Sequence, residues 1–454
     1  MAKIGIVADD LTGATTVGVL LARAGISTAA FFDEKSLDVD KDHDAIILSS
    51  DSRSDEKLVA QRKVKSAVQA LKEKGTAYFS KRIDTTLRGG IGCEIDAMLE
   101  ELPADTIAVI VPAMPQSKRI VVGGYSIIDG VALSKTPVAF DVKTPVTESF
   151  IPNLMAKQSK QQVGLVTLNS ILTGMETLKA SLTAEKEKGS KLIIVDAITI
   201  EDVKTIAEAV TEIEWNVLAV DPGPFSEQLA IVRGFGKQDS QLEPNNFEEE
   251  NMKGTVLVVA GSATPVTKTQ MRVLAEKSWT SHVSVSAEEL IDIENKAIYE
   301  ITRATEEALK LVKEKKSSVI MLETALTGKV LDLAAKEKEF NLHPGEASNN
   351  INIGLGQIVQ NVLNKEPVDI RGIYMTGGDT MVNILKVLGA KGIELLDYVI
   401  PQADLGKIIG GRYDGLVVVG KGGLTGTENT AVSIVKRIFK ESEKTYHKTK
   451  MINQ

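Results

Sequence analysis

Ile4-Gly5-Ile6-Val7-Ala8-Asp9-Asp10-Leu11-Thr12-Gly13-Ala14 is the stretch on which the fold turns. The apolar run Ile4 to Val7 reads as a short buried strand. Beyond it Val17, Leu20, Leu21 and Ala24 recur at i, i+3, i+4 and i+7, one face of a helix that Gly25 can end. Two adjacent carboxylates, Asp9 and Asp10, therefore sit where a strand hands over to a helix, the place where open α/β sheets bind ligands. Side by side they repel, which is costly unless a cation answers them or one takes a proton. Two readings are open. Either Asp10 caps the helix and Asp9 is solvated, or the pair holds a hydroxyl or a metal.

With 454 residues the chain exceeds one ordinary core, so two domains are expected. Hydrophobic residues make up 43% and charged ones 25%, as in a globular protein. A net charge of −8 argues against a general nucleic-acid or anionic-membrane surface. The single cysteine, Cys93, excludes a disulfide framework, and His43, His282, His343 and His447 have no metal-ligand spacing. No basic stretch leads into an apolar segment, and no run approaches the roughly 18 apolar residues of a membrane span. A cytoplasmic location is expected, with no nucleic-acid or membrane partner.

Strand-like runs alternate with helical ones. In the first half strands are expected at 44–48, 77–80, 106–111, 163–167, 192–196 and 217–221, while 112–152 reads as loop. Residues 236–254 are polar, aperiodic and acidic at Glu248-Glu249-Glu250, and read as a linker. The alternation then restarts, with strands expected at 255–260, 318–322, 373–376 and 416–419. The expected architecture is α/β: two domains, 1–235 and 255–441, each a mostly parallel sheet flanked by helices, with a ligand cleft between them. The polar stretch 442–454 is expected to fray.

In the first half, cations answer the carboxylates. Lys81, Arg82, Asp84 and Arg88 build a short charged segment ahead of Gly89-Gly90 and a helix, and Arg119 comes later in a loop. Arginine binds a carboxylate through two parallel hydrogen bonds, and amides at a helix start add attraction for an anion. The plainer alternative is a salt-bridge network between these arginines and Asp9 or Asp10, a costly route to stability. Together the residues describe a pocket for a small anionic molecule carrying hydroxyls.

The second half is marked by glycine turns between strands and helices: Ala260-Gly261-Ser262-Ala263-Thr264, Met375-Thr376-Gly377-Gly378-Asp379-Thr380 and Gly420-Lys421-Gly422-Gly423-Leu424-Thr425-Gly426-Thr427. Glycine lets backbone approach a ligand, and the amides after it favour phosphate. One such turn says little; three in one domain, one with a lysine, point to nucleotide phosphate. Gly415 to Lys421 spells G-x-x-x-x-G-K, but its middle residues read as strand and Gly422 replaces the required Ser or Thr. Gly354-Leu355-Gly356 lacks the third glycine of a dinucleotide fingerprint.

These segments, in this order, resemble the four-carbon acid sugar kinases. Ile6 to Ala14, Lys81 to Arg88, and Val111-Pro112-Ala113-Met114-Pro115 with Arg119 and Gly124-Tyr125 are similar to that family's sugar-acid-binding domain. Gly261-Ser262, Gly377-Gly378-Asp379-Thr380 and Lys421-Gly422-Gly423 are similar to its nucleotide-binding domain. Gly90 stands where asparagine is usual, Gln116-Ser117-Lys118 where Glu-Asn-Gly is common, and Ser126 where histidine often comes after Tyr125. These departures fall in the acid-binding half and bear on which acid is used.

The resemblance implies ATP-dependent phosphorylation of a terminal hydroxyl on threonate, erythronate or 3-oxo-tetronate. Lys81, Arg82, Arg88 and Arg119 would then bind the acid, and Asp10, Asp9 or Asp84 would accept the hydroxyl proton, with Asp10 favoured for its place at the helix start. Ser262, Gly377, Gly378, Asp379, Thr380, Gly422 and Gly423 would hold ATP. Lys421 would neutralise a phosphate, and Mg²⁺ would bridge phosphates largely through water, with no protein metal ligand assigned. Closure of the cleft would precede transfer, and a homodimer is the assembly considered. The competing readings are a hydroxy-acid dehydrogenase and a non-catalytic two-lobed metabolite sensor.

Overall fold

A computed structural model describes residues 3–39, 41–141, 143–237, 247–314, 317–324, 326, 330–365 and 368–452, with no side-chain description beyond 444. The chain divides into two compact units, Met1–Gln241 and Leu242–Gln454. The middle of the expected linker, 238–246, lies outside the described residues. Its last part is packed rather than free: Phe247 stacks on Phe439 with ring centroids 6.1 Å apart, and Phe247 and Met252 pack on the second unit's core.

In the first unit the chain runs β1 (Ile4–Ala8), α1 (Leu11–Arg23), β2 (Thr28–Phe31), β3 (Ala45–Ser49), α2 (Lys57–Glu73), β4 (Tyr78–Arg82), α3 (Ile91–Glu101) and β5 (Ile107–Ile110). A small excursion, β6 (Arg119–Val122), β7 (Tyr125–Ile128) and β8 (Val131–Ala132), precedes α4 (Ile151–Gln158) and β9 (Val163–Val166). Then come α5 (Leu168–Thr173), α6 (Met175–Glu187), β10 (Leu192–Val195), α7 (Ile200–Glu212), β11 (Val217–Asp221) and α8 (Pro224–Val232). Eight strands form a parallel sheet in the order β2-β3-β1-β4-β11-β5-β10-β9. Their near-continuous apolar sequences are what a sheet covered on both faces requires.

β1 lies between β3 and β4. Successive connections run to one side of it, through β2 and β3, and then cross to β4 on the other. This is a topological switch point, where the loops at the carboxyl ends part and leave a crevice. Register fixes its rim: Ala8 is level with Ser49 on β3 and with Arg82 on β4. The chain leaving all three strands therefore emerges at one edge.

The 112–152 segment departs from the loop expectation. Arg119 to Ala132 folds into a three-stranded antiparallel sheet, with strands too short for a readable alternation. It is anchored by the buried Asp196, which accepts hydrogen bonds from the amides of Gly123 (2.6 Å), Gly124 (2.8 Å) and Leu168 (3.0 Å). β4 also runs two residues past its expected end, so Lys81 and Arg82 lie on the strand rather than in a loop.

In the second unit the order is β12 (Thr255–Ala260), α9 (Pro265–Ala275), β13 (Thr280–Ser284), α10 (Ala287–Ile291), α11 (Ala297–Glu314), β14 (Val319–Glu323) and α12 (Leu333–Glu339). It continues with α13 (Glu346–Leu363), β15 (Ile370–Thr376), α14 (Gly378–Val387), β16 (Gly392–Ile400), β17 (Ala403–Ile409), β18 (Val417–Lys421) and α15 (Thr430–Ile452). β13-β14-β12-β15-β18 are parallel, whereas β17 and β16 join antiparallel. The sequence reading did not anticipate β13, β16 or β17. The first four strands repeat the winding of the first unit, with the opening strand central and the second outermost. The 442–454 stretch is not frayed at its start: α15 is helical through Ile452, and Glu441 and Ser442 are buried on it. No helix among the described residues is long and apolar enough to cross a membrane.

Candidate active site

The acidic turn combines the cap of the first reading with the arginine network of the plainer alternative. Asp10 caps α1, its Oδ1 accepting from the Gly13 amide at 2.7 Å. Asp9 is not solvated. It is buried at 4% exposure and receives Arg53, with Nε at 2.7 Å from Oδ2 and Nη2 at 3.1 Å from Oδ1. The same guanidinium reaches Asp10 through Nη1 at 2.7 Å and stands 3.9 Å from Asp84. Arg82, leaning over the start of α1, lies 3.3 Å from both Asp9 and Asp10. A Cβ on Gly13 would overlap the Arg82 guanidinium, so glycine there is what admits the arginine.

Asp84 closes the tight turn after β4. It accepts from the Thr86 amide and hydroxyl and, in a two-pronged pair, from Arg88 at 2.8 and 3.2 Å. The buried Leu87 takes a left-handed φ of +56° to make this turn, a conformation the surrounding contacts must hold in place. Arg88 also faces Asp141 at 3.5 Å. Arg119 at the start of β6 donates to the Ser117 carbonyl, while its buried Nε has no hydrogen-bond partner. Asp84 is close enough to bear on its charge.

The environment separates the three acids. Burial opposes ionisation of Asp9, but Arg53, Lys81 and Arg82 outweigh it and hold the carboxyl below the usual range. Asp84 is likewise held low against burial by Arg53, Arg88 and Arg82. For Asp10, burial together with the charges of Asp9 and Asp84 prevails over Arg53 and Arg82 and raises the pKa. Asp10 is also the most open of the three, with 25% of its side chain exposed against 5% and 7%. The most basic carboxylate is thus the most accessible one, as a proton acceptor for an incoming hydroxyl requires.

Lys81 does not join this group. Fully buried, it pairs with Glu94 of α3 at 2.7 Å, and Glu94 also accepts from Ser52 at 2.8 Å. The structure thus brings Asp9, Asp10, Arg82, Asp84, Arg88 and Arg119 to one edge and places the Lys81 ammonium in an internal ion pair. Sequence reasoning missed Arg53. Its signal was position: it comes just after a strand end at Ser50-Asp51-Ser52, as Asp9 does.

In the second unit, Ala260 is level with Thr376, and Thr376 with Lys421. All three glycine turns consequently emerge at one edge of adjacent parallel strands. They are tied together by hydroxyls. Thr264 caps α9 and donates to the Gly423 carbonyl at 2.5 Å, and Thr267 donates to the same oxygen at 3.1 Å. Thr380 donates to Asn352 of α13 at 2.9 Å. Gly377, at φ +113°, opens α14 without a side-chain cap, with Gly378 and the exposed Asp379 in its first turn. Ser262 lies against Gly423, where a Cβ would meet its Oγ, and Gly422 comes directly after Lys421. Among the described residues the Lys421 ammonium reaches only carbonyls, Gly422 at 2.7 Å and Thr425 at 3.2 Å. Burial without a counter-charge lowers its pKa to about 8. Thr264, Thr267 and Asn352 were not identified from sequence, although Thr264-Pro265 is a helix-start signature. Uncapped amides, hydroxyls and an unanswered ammonium at one edge are suited to a polyphosphate.

Comparison with known proteins agrees with this division. Residues 4–229 match the model of a sugar-binding N-terminal domain, and 257–431 that of a nucleotide-binding C-terminal domain. The chain is 37% identical over 450 residues to a D-erythronate kinase of Heliobacterium modesticaldum, covering 98% of this chain and 99% of that one. It is 28% identical to a D-threonate kinase of Salmonella typhimurium, covering 94% and 96%. A solved structure from Haemophilus influenzae shares the fold at TM-score 0.73 and 24% identity, covering 95% of this chain and 98% of that one. On the full-length match, the chain belongs to the four-carbon acid sugar kinase family.

Proposed function

We propose that the protein transfers the γ-phosphoryl group of ATP to the terminal hydroxyl of a four-carbon sugar acid such as erythronate, threonate or 3-oxo-tetronate. The observation that carries this reading is Asp10, a partly exposed carboxylate of raised basicity set among guanidinium groups at the switch point. Its oxygens orient the hydroxyl and take its proton as the new O–P bond forms. The bond from the γ-phosphorus to its bridging oxygen breaks, and ADP leaves. Arg88 and Arg119 donate to the acid's inner hydroxyl oxygens, while Arg53 and Arg82 fix the carboxylates in place. Ser262, the amides of Gly377, Gly378, Gly422 and Gly423, and the Lys421 ammonium hold the phosphates, with Asp379 and Thr380 in the first turn of α14. A loose transition state spreads charge over equatorial oxygens, so positioning and neutralisation supply most of the catalysis.

Among the described residues no group of three or more His, Cys, Asp or Glu converges on a metal position. The carboxylates of Asp9, Asp10 and Asp84 face arginines. That donor set fits Mg²⁺ carried on the nucleotide's phosphates and water, where it neutralises charge. The test is an ATP-consumption screen over four-carbon acids, with threonate and erythronate stereoisomers supplied separately. Acid-dependent ADP release is expected; none with any of them would overturn the proposal.

A further inference from the structure

Beside the acidic turn lies a cavity of about 440 Å³ within the first unit, within the size range of small-molecule sites. Arg53 borders it, so one guanidinium touches Asp9 and Asp10 and also faces this space. The starts of α2 and α3 line it at Glu56-Lys57 and Gly89-Gly90; neither N-cap residue supplies a side-chain cap, and at α3 the Gly92 amide donates to the lining Gln158 at 2.9 Å. Lys57, Lys143 and Lys157 add positive charge. Lys157 pairs with Glu148 at 3.6 Å, and the lining Asp55 pairs with Lys63 at 2.6 Å. Lys57 and Lys143 form no ion pair among the described residues, and both are exposed.

The charge balance of the neighbouring cluster gives these two lysines their meaning. Asp9, Asp10, Asp84 and Asp141 face Arg53, Arg82, Arg88 and Arg119, four negative groups against four positive. An organic acid brings one more negative charge. In a balanced cluster that charge meets as much repulsion as attraction, whereas in the cavity the lining charges outside ion pairs, Lys57 and Lys143 against Glu56, leave an excess of positive charge. We propose that the cavity receives the carboxylate end of the four-carbon acid, read by Lys57 and Lys143 with Arg53, while its chain runs past Arg53 to present the terminal hydroxyl to Asp10. This rests on the kinase reading above and adds the acid's orientation. It makes Arg53 the group that both reads the acid and holds the base, so a polyol lacking the carboxylate forfeits this anchoring.

The test uses the full chain and the exposed pair Lys57→Met and Lys143→Met, whose melting temperature verifies folding. In steady-state assays the double variant should raise KM for the preferred acid about 10-fold, the scale of charge-assisted hydrogen bonds in a partly open site. KM for ATP should stay fixed, and the preference for the acid over the matching four-carbon polyol should fall about 10-fold as well. Calorimetric titration with erythronate and threonate, without nucleotide, should show the same weakening. An unchanged acid KM, or an equal loss on acid and polyol, would overturn the orientation and leave the kinase reading standing. If no acid supports turnover in the wild type, the kinase reading falls, and the titration alone decides the cavity: equal affinity in wild type and double variant rejects it.

Discussion

Removing Arg53 exposes how the acidic turn is held. Its guanidinium makes the shortest contacts to Asp9 and Asp10, both 2.7 Å, and supports Asp84 from 3.9 Å. In Arg53→Met the carboxylates keep Arg82 at 3.3 Å and Arg88 on Asp84, but lose their strongest shared cation. Breaking a buried pair from one side costs about 3–5 kcal/mol, and the remaining arginines place this change near ~3. For a unit of this size that is a fall in melting temperature of roughly 6–12 °C at pH 8. The pH dependence carries the sharper signature. In the wild type Asp9 and Asp84 lie below their ordinary pKa, so the stability they lend is present above that value and lost on acidification. Without Arg53, burial is opposed less and both pKa values rise, so the variant's folded state binds more protons than the wild type's. The difference in stability therefore grows with pH, and the deficit should be largest at pH 8 and shrink toward pH 5. Scanning calorimetry of the full chain, tracking whichever transition shifts, measures this. A deficit below about 2 °C at pH 8, or one that grows on acidification, would refute the reasoning.

The geometry sets three further outcomes. Asp10→Asn keeps an oxygen for the Gly13 amide and should melt within about 3 °C of wild type, while turnover falls about 10²–10⁴-fold; near-normal kcat would remove Asp10 as base. Lys81→Met strands the buried Glu94 and should cost about 3–5 kcal/mol in denaturant unfolding. Adding Glu94→Leu should restore most of that, and acid KM in the folded double variant should match wild type. ATP phosphates meeting Lys421, whose pKa is about 8, should raise it, so binding takes up protons. Calorimetry in buffers of different ionisation enthalpy should find about 0.5 proton per ATP at pH 8 and near ~0.1 at pH 7, and Lys421→Met should abolish the uptake.

The first strand, its acidic turn and the three glycine turns were readable because each is local: an apolar run, a breaker, then a helical period. The partners of these turns were not. Arg53 meets Asp9 only because β3 lies beside β1 in a register that sets Ser49 level with Ala8, and no local pattern encodes that neighbourhood. Lys81 shows a different limit. Adjacent residues on a strand point to opposite faces, so Arg82 turns toward α1 while Lys81 turns toward α3. A basic dipeptide read as one feature was two. The antiparallel β16 and β17 were missed because their hydrophobic alternation is interrupted, with register shifts near Asp397 and Ile400.

Asp196 has a consequence beyond anchoring. The Gly123 and Gly124 amides and the Val121–Ala197 bridge converge on this end of β10, and Tyr125 pairs with Phe150, so the excursion that carries Arg119 hangs from the sheet by this peg and by that pairing. Whatever lies outboard of the peg can change in length and chemistry while the acidic turn keeps its place. On the proposed kinase reading, with Arg119 donating to the acid, acceptor preference would be tunable at this fringe without rebuilding the chemistry at the centre.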